Sequence, residues 1–357
     1  MCVDMRDYQH LERNSFVELG NVKTWTADLT AVLLTAAVSF VFIVFTSCAE
    51  GGAAPQNPPA QAQTVTQDPV DPTSPTIGPV DPISGTAQYV AWGDSTTSGI
   101  GASIAELSYP AQLQAMTGRV TFNGGVSGQT SDQIAAREGG LPALLTLPNN
   151  TLPPSGPVVI KAQSTFPITA EGPGSITGTL NGFHGTLSYQ EAGRVTTPQR
   201  VFTRDDVGIA ETIPPRTPFH PDTFAREAQI NVFWMGQNNF YDAQGVISDI
   251  AKSVGFLSKN SFIVMSLLNA GDEGVGTSSY NQLAQINATL AQTYPGHFLD
   301  IRKILVNNYD PRNPQDVKDH NNDVPPTSLR NDQEHLNDQG YALVARQVAA
   351  FAAALNW

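Results

Sequence analysis

The residue types needed for acyl transfer stand in two short stretches, Gly93-Asp94-Ser95 and Asp332 to His335. The first stretch follows an apolar run, and its small residues favour a tight turn that presents Ser95 at the end of a buried strand. A serine hydroxyl becomes a nucleophile when a nearby base takes its proton, and a carboxylate orients that base. His335 follows Asp332 by three residues, a spacing at which one turn can hold the carboxylate against the imidazole. We therefore predict a catalytic triad of Ser95, His335 and Asp332.

Two further turns of small residues could supply the hydrogen-bond donors that a tetrahedral intermediate requires. They are Ser127-Gly128-Gln129 and Gly236-Gln237-Asn238, and each follows a predicted strand. We expect an oxyanion hole formed by the backbone N–H groups of Ser95 and Gly128 and by the side-chain amide of Asn238. Taken singly, the glycines could be ordinary turn residues, and the asparagine could cap a helix.

Strand-like and helix-like stretches alternate from residue 86 onward. Apolar strand runs are predicted at residues 88–92, 120–123, 230–235 and 262–268, and helices at residues 109–116, 131–137, 243–257, 278–293 and 339–355. This alternation predicts an α/β fold whose parallel sheet is covered by helices on both faces. The three turns would then lie at the carboxyl ends of strands, where such sheets bind ligands.

Residues at about 155–225 interrupt this alternation. They are Thr/Val/Phe-rich runs separated by Gly and Pro, without a helical period, which predicts a β-rich insert. The repeated Gly-Thr-Leu at 178–180 and 185–187 suggests a hairpin. We expect His184, in the insert, to be a surface or packing residue. The acidic stretch at 310–323 could bind a cation, but a solvated loop is the favoured interpretation.

Composition argues against several other functions. The formal charge of −13 and the pI of about 4.7 offer no basic surface for nucleic acid. Both cysteines, Cys2 and Cys48, precede the predicted domain, which therefore has no disulfide and no thiol nucleophile. The histidines show no zinc-binding spacing, so we expect neither a metal nor a cofactor. The chain has no G-x-S-x-G sequence, which argues against the nucleophile turn of α/β-hydrolases.

The N-terminal part of the sequence carries signs of export. Residues 29–47 form an uncharged run of about 19 residues, long enough to cross a bilayer as a helix. The following Cys48 resembles the acylated cysteine of a bacterial lipoprotein, with an uncleaved signal anchor as the alternative. We therefore expect residues 1–48 to be a signal or anchor that tethers the protein to a membrane in the periplasm or at the cell surface. Residues 49–85 are rich in Pro, Gln, Thr and Asp and predict a disordered linker, leaving residues 86–357 as the folded domain.

Taken together and in this order, the turns resemble the sequence blocks of the SGNH or GDSL family of serine hydrolases. The matching residues are Gly93-Asp94-Ser95 in the first block, Asn123 and Ser127-Gly128 in the second, Gly236-x-Asn238 in the third and Asp332-x-x-His335 in the fifth. The resemblance covers residues 86–357 apart from the insert. It implies a flavodoxin-like three-layer α/β/α sandwich with a parallel sheet and no metal. It also implies that Asp94 and Asn123 support the reacting groups through hydrogen bonds.

The resemblance further implies the hydrolysis of carboxylic esters. Two observations favour O-acetyl esters of carbohydrate or cell-envelope polymers. The domain is expected outside the cytoplasm, and some polysaccharide O-acetylesterases of the family carry a β module between the second and third blocks, where the insert lies. A lipase or a broad short-chain carboxylesterase is the alternative, and a non-catalytic surface-binding protein on a vestigial hydrolase fold is a second one.

Overall fold

The computed structural model describes residues 88–165, 167, 175–190, 199–222 and 229–357. The expected signal or anchor segment, Cys48 and the linker lie outside these residues. Within the described ranges, no helix combines the length and the hydropathy needed to cross a membrane.

The described residues form strands and helices that are numbered in chain order. The strands are β1 Gln88–Gly93, β2 Thr121–Gly125, β3 Ala143–Thr146, β4 Thr151–Leu152, β5 Pro157–Val159, β6 Ala162–Gln163, β7 Ser175–Leu180, β8 Phe183–Gln190, β9 Gln199–Arg204, β10 Glu211–Thr212, β11 Thr217–Pro221, β12 Gln229–Trp234, β13 Phe262–Met265 and β14 Phe298–Leu299. The helices are α1 Ser95–Ser98, α2 Tyr109–Thr117, α3 Ser131–Glu138, α4 Ala243–Phe256, α5 Ser278–Thr293, α6 Ile301–Asn307, α7 Pro314–Asn321 and α8 Asp338–Ala354.

Five parallel strands form the sheet on which the predicted site residues depend. The strand order is β14-β13-β12-β1-β2, and every neighbouring pair is parallel. Strands β12 and β13 are buried at every residue, as their continuous apolar runs require. The predicted α/β class and parallel sheet are therefore confirmed. Gly93 pairs with Gly125 on one side and with Trp234 on the other, so the chain leaves β1, β2 and β12 at neighbouring points.

Alternate residues of the parallel strands enter two separate apolar clusters. Tyr89 and Ala91 of β1 belong to one cluster, together with residues of α2, α6 and α8. Val90 and Trp92 belong to the other, together with residues of α3, α4 and α5. Successive side chains of a strand point to opposite faces of a sheet. The period-two pattern of the strands thus decides which strand residues each group of helices contacts.

A second, antiparallel sheet contains the predicted hairpin. Its order is β5-β9-β8-β7-β11-β3-β6, and β7 pairs with β8 so that Gly178 faces Gly185. The hairpin turns at Asn181 and Gly182, with positive φ values of 51° and 85°, as a two-residue Asn-Gly turn requires. The sheet begins at β3, ahead of the expected boundary near residue 155. The sequence does not predict β3 because a strand of four residues carries too short an alternating pattern. Its own apolar cluster comprises Ala143, Leu145, Leu147, Leu152, Leu180, Leu187, Phe202, Ile213 and Phe219.

The expectation of a solvated loop at residues 310–323 is wrong for its central part, which forms α7. The Asn313 side chain caps this helix, and Pro314 occupies its first turn, where a missing N–H costs nothing. Asp316 and Asp319 are buried, and both carboxylates accept hydrogen bonds from the segment that follows the helix. The Asp316 and Asp319 side chains therefore hold the chain together rather than facing water.

Candidate active site

Ser95 lies directly after β1, as the first residue of the one-turn helix α1. Asp94 caps this helix, its carboxylate accepting a hydrogen bond from the Thr96 backbone at 3.1 Å. A side chain at position 93 would collide with Thr97, so the turn requires glycine there. The helix ends at Gly99, which has a φ of 97°. Because the first N–H groups of a helix have no partner within it, the Ser95 amide can face a ligand.

His335 reaches Ser95 from the loop before α8. Its Nε2 atom lies 3.0 Å from Ser95 Oγ, and its Nδ1 atom lies 2.9 Å from Asp332 Oδ2. The Asp332 carboxylate also accepts hydrogen bonds from the backbone N–H groups of Glu334 and His335, at 2.8 and 2.7 Å. The spacing of three residues thus produces a tight turn that fixes the carboxylate against the ring.

The electrostatics of this turn favour an ionised carboxylate. Partial burial by itself raises the pKa of Asp332, but the hydrogen bonds from His335 and Glu334 outweigh it and leave the pKa below its usual value. An ionised Asp332 selects the tautomer of His335 that carries its proton on Nδ1. The Nε2 atom is then free to accept the Ser95 hydroxyl proton.

The Gly128 turn lies beside Asn238. Gly128 adopts a φ of 74°, a left-handed conformation that favours glycine. The Asn238 side chain donates a hydrogen bond of 2.8 Å to the carbonyl of Gln129, the next residue along the chain. An amide nitrogen has two N–H groups, so the second can serve as a donor to a ligand. Gly236, with a φ of 115°, caps the short 3-10 turn that carries Asn238, so Asn238 itself is not a helix cap.

Asn123 links the second turn to the first. Its side-chain oxygen accepts a hydrogen bond of 2.9 Å from the Gly125 backbone, and its nitrogen donates to the Ser98 carbonyl at 3.4 Å. Ser98 also lies 3.3 Å from Ser127, hydroxyl to hydroxyl. These contacts join the end of β2 to α1.

Sequence reasoning missed a buried arginine that ties the strand ends together. Arg137 of α3 donates to the Gly124 carbonyl at 2.6 Å and to the Gly93 carbonyl at 3.4 Å. Its Nε atom donates to the side chain of Gln129 at 3.0 Å. Burial lowers the pKa of Arg137 to about 10, which still leaves it charged at neutral pH. A lone arginine in a helix gives no sign in the sequence that it will point toward the end of a sheet.

Other histidines and acids singled out in the sequence lie elsewhere. His184 belongs to the antiparallel sheet, where its two ring nitrogens face Asp205 and Asp222. Its side chain is half exposed, as expected of a surface residue. Among the described residues, no group of three or more His, Cys, Asp or Glu side chains is arranged to hold a metal ion.

The arrangement can carry out acyl transfer. It presents a hydroxyl hydrogen-bonded to an imidazole, and a carboxylate that orients the imidazole. The imidazole can take the hydroxyl proton and later return it to a leaving group. Backbone N–H groups and an asparagine amide are the usual donors to the oxyanion of a tetrahedral intermediate.

The chain is similar to known proteins in sequence and in structure, at low identity. No family model matches the chain. The tail spike protein of Salmonella phage epsilon15 is 27% identical over an alignment of 200 residues, which covers 49% of this chain and 18% of that protein. A solved structure assigned to the G-D-S-L family of lipolytic proteins, from Desulfitobacterium hafniense DCB-2, has a TM-score of 0.40 and 14% identity, covering 74% of this chain and 99% of its own. A two-domain esterase active on acetylated mannans has a TM-score of 0.35 and 13% identity, covering 76% of this chain and 49% of its own.

Both solved structures belong to the class of lipolytic proteins and esterases that the four turns resemble. Their TM-scores lie below 0.5, so a proposal of function has to rest on the residues of this chain.

Asp94→Asn is expected to remove part of the pH dependence of stability. Burial raises the pKa of Asp94 to about 6, against the opposing effects of the Thr96 amide and of His335. Between about pH 4 and pH 6 Asp94 therefore binds its proton more fully in the folded chain than in the unfolded chain, and its contribution to the free energy of unfolding falls as the pH rises, by at most about 3 kcal/mol. Asparagine keeps an oxygen for the Thr96 amide but carries no charge.

Urea unfolding of both proteins across this pH range measures the effect. The free energy of unfolding of the variant, relative to the wild type, should increase from about pH 4 to pH 6 and stay level at higher pH. A difference that does not change with pH would contradict a raised pKa of Asp94.

Proposed function

We propose that this chain is a serine esterase of the SGNH or GDSL type. The observation that carries the proposal is the unbroken chain of hydrogen bonds from Ser95 Oγ to His335 Nε2, at 3.0 Å, and from His335 Nδ1 to Asp332, at 2.9 Å. The family's three-layer α/β/α sandwich is part of the proposal. The two apolar clusters on alternate residues of β1, each with its own group of helices, support that architecture.

In the proposed reaction, His335 removes the Ser95 proton as the oxygen attacks the ester carbonyl. The ionised Asp332 stabilises the resulting imidazolium, and His335 then protonates the departing alcohol. The acyl group remains on Ser95 until a water molecule, activated by the same imidazole, releases it as a carboxylic acid. The Ser95 proton leaves with the alcohol and a proton of the water molecule replaces it on Ser95, so the cycle consumes one water molecule and needs no cofactor.

The oxyanion formed during attack is proposed to bind three N–H groups, those of the Ser95 and Gly128 backbones and of the Asn238 side chain. The hydrogen bond from Asn238 to Gln129 supports this assignment, because it fixes the amide beside the Gly128 turn. Arg137 supports the same turn from below through the Gln129 side chain. Donors fixed before the reaction stabilise developing charge without a reorganisation cost.

The substrates we favour are O-acetyl esters of carbohydrate or cell-envelope polymers. In chain order, the antiparallel sheet is inserted after β2 and before β12. This is the position at which the sequence predicts a polymer-binding module. A lipase or a broad short-chain carboxylesterase is the alternative. A non-catalytic surface-binding protein is the second alternative, and the complete triad argues against it.

We also propose that the enzyme is exported and tethered by Cys48 or by residues 29–47. This rests on the sequence alone, since the segment lies outside the described residues. Mass determination of the mature N-terminus tests it. A chain purified from membranes with neither an acylated Cys48 nor residues 29–47 would contradict it.

Ser95→Ala should abolish ester hydrolysis while leaving the protein folded. Loss of the nucleophile typically lowers kcat by about four to six orders of magnitude. The measurement is the hydrolysis of p-nitrophenyl esters from acetate to palmitate by wild type and variant, with thermal unfolding as the control for folding. Wild-type kcat/KM should be highest for acetate.

Three other results would select an alternative or exclude the proposed nucleophile. Highest kcat/KM for long acyl chains would select the lipase alternative. Equal hydrolysis by wild type and Ser95→Ala would exclude the proposed nucleophile, and no hydrolysis by the wild type would favour the non-catalytic alternative.

Asn238→Ala should lower kcat for p-nitrophenyl acetate by about two to three orders of magnitude with a small change in KM, because the lost donor acts mainly in the transition state. Gln282→Ala is a matched control, since this amide also donates to a loop carbonyl, that of Tyr241, but lies on α5. The control should keep wild-type kcat. Full activity of Asn238→Ala would require another oxyanion donor.

A further inference from the structure

A polar cleft of about 720 Å³ lies beside the catalytic loop. Asp332 lines it, so one residue of the triad forms part of its wall. The other walls come from the loop after β13, from α7 and from the segment before Asp332. Besides Asp332, the exposed side chains that line the cleft are Asp272, Gln315, Lys318, Thr327, Asn331 and Gln333.

The floor of this cleft is fixed by a buried ion pair. Arg330 and Asp319 are 8% and 5% exposed and lie 3.2 Å apart. Asp319 also accepts hydrogen bonds from Gln315 and Thr327, at 2.7 Å and 2.6 Å. Arg330 donates to the carbonyl of Asp332 at 3.2 Å. The cleft is therefore a preformed feature that is connected to the catalytic loop by the same guanidinium.

The lining restricts what the cleft can bind. Apart from Gly271, every residue that lines it has a charged, amide or hydroxyl side chain, and none has an aliphatic or aromatic one. A fatty acyl chain would find no apolar surface there, although ligand pockets for apolar groups are lined mainly by such side chains. The acyl part of a lipid ester is therefore a poor occupant.

The charged side chains of the cleft disfavour anionic ligands. Arg330 is paired with Asp319, and Lys318 and Asp272 add one cation and one anion. The ionised Asp332, whose imidazole partner is neutral, leaves one negative charge in excess, which disfavours an anionic ligand. The side chains of the lining both donate and accept hydrogen bonds, which suits a neutral polyhydroxylated ligand.

We infer that this cleft binds sugar residues of an acylated glycan, on the alcohol side of the ester. The inference rests on the proposed esterase function and assigns a binding site to the sugar part of its favoured substrates. The ester itself must lie at Ser95, which does not line the cleft, and Asp332 and His335 separate the two positions. The sugar in the cleft is therefore a neighbour of the acylated residue, so the substrate is at least an oligosaccharide.

The test compares an oligosaccharide with a small ester. The double variant Asp272→Ala/Lys318→Ala removes two lining side chains that are not part of the triad or the oxyanion hole. Lys303→Ala, an exposed lysine of α6 outside the cleft, is the matched control. The measured quantity is kcat/KM for acetylated xylo- and manno-oligosaccharides divided by kcat/KM for p-nitrophenyl acetate.

The ratio should fall about tenfold in the double variant, chiefly through KM for the oligosaccharide, as expected when one or two hydrogen bonds are lost. It should stay at the wild-type value in Lys303→Ala. In a Ser95→Ala background, calorimetric titration with the same oligosaccharides should show binding that the two cleft substitutions weaken by a similar factor.

An unchanged ratio in the double variant would overturn the inference. The inference would also be overturned if the wild type cleaved p-nitrophenyl acetate but no acetylated oligosaccharide. The same holds if the double variant lost activity on N-acetyl-peptide esters instead, because a peptide would then occupy the cleft. In these cases the esterase proposal stands. A wild type without activity on p-nitrophenyl acetate would contradict the esterase proposal itself.

Discussion

The hydrogen bond between Ser95 and His335 joins residues 240 positions apart in the chain. A bond of this kind needs both partners to be held independently, because neither side chain can find the other by local structure. Ser95 is held by β1 and the cap at Asp94, and His335 by the turn around Asp332. The start of α8 completes the connection. Asp338 accepts hydrogen bonds from the Ser103 backbone and hydroxyl, both at 2.7 Å, which fastens the C-terminal segment to the loop that follows α1.

The parallel sheet brings together the turns that carry the three proposed oxyanion donors. Because β1 lies between β2 and β12, the turns that carry Ser95, Gly128 and Asn238 emerge side by side. Backbone pairing of Gly93 with Gly125 and with Trp234 holds these strand ends together. Arg137 reinforces two of them by donating to the carbonyls at the ends of β1 and β2 and to the Gln129 side chain.

Much of this arrangement could be predicted from the sequence, because it depends on local patterns. The apolar runs of β1, β12 and β13, the helical periods of α4, α5 and α8 and the spacing of Asp332 and His335 each have a physical signature within about 20 residues. Arg137 and the polar cleft have none, since both depend on where distant segments meet. The burial of Asp316 and Asp319 in α7 escapes prediction for the same reason, because their donors come from the later segment at Thr327 and Ser328. The first strand of the antiparallel sheet, β3, is too short to leave a pattern.

The central claim is that His335 activates Ser95 as a nucleophile. Treatment with an alkyl fluorophosphonate, which forms a stable bond with an activated serine hydroxyl, followed by peptide mass spectrometry, tests that claim directly. The account predicts a single adduct on Ser95 in the wild type and a labelling rate at least about 100-fold lower in His335→Ala. An adduct on another residue, or labelling of Ser95 at an equal rate in His335→Ala, would contradict it.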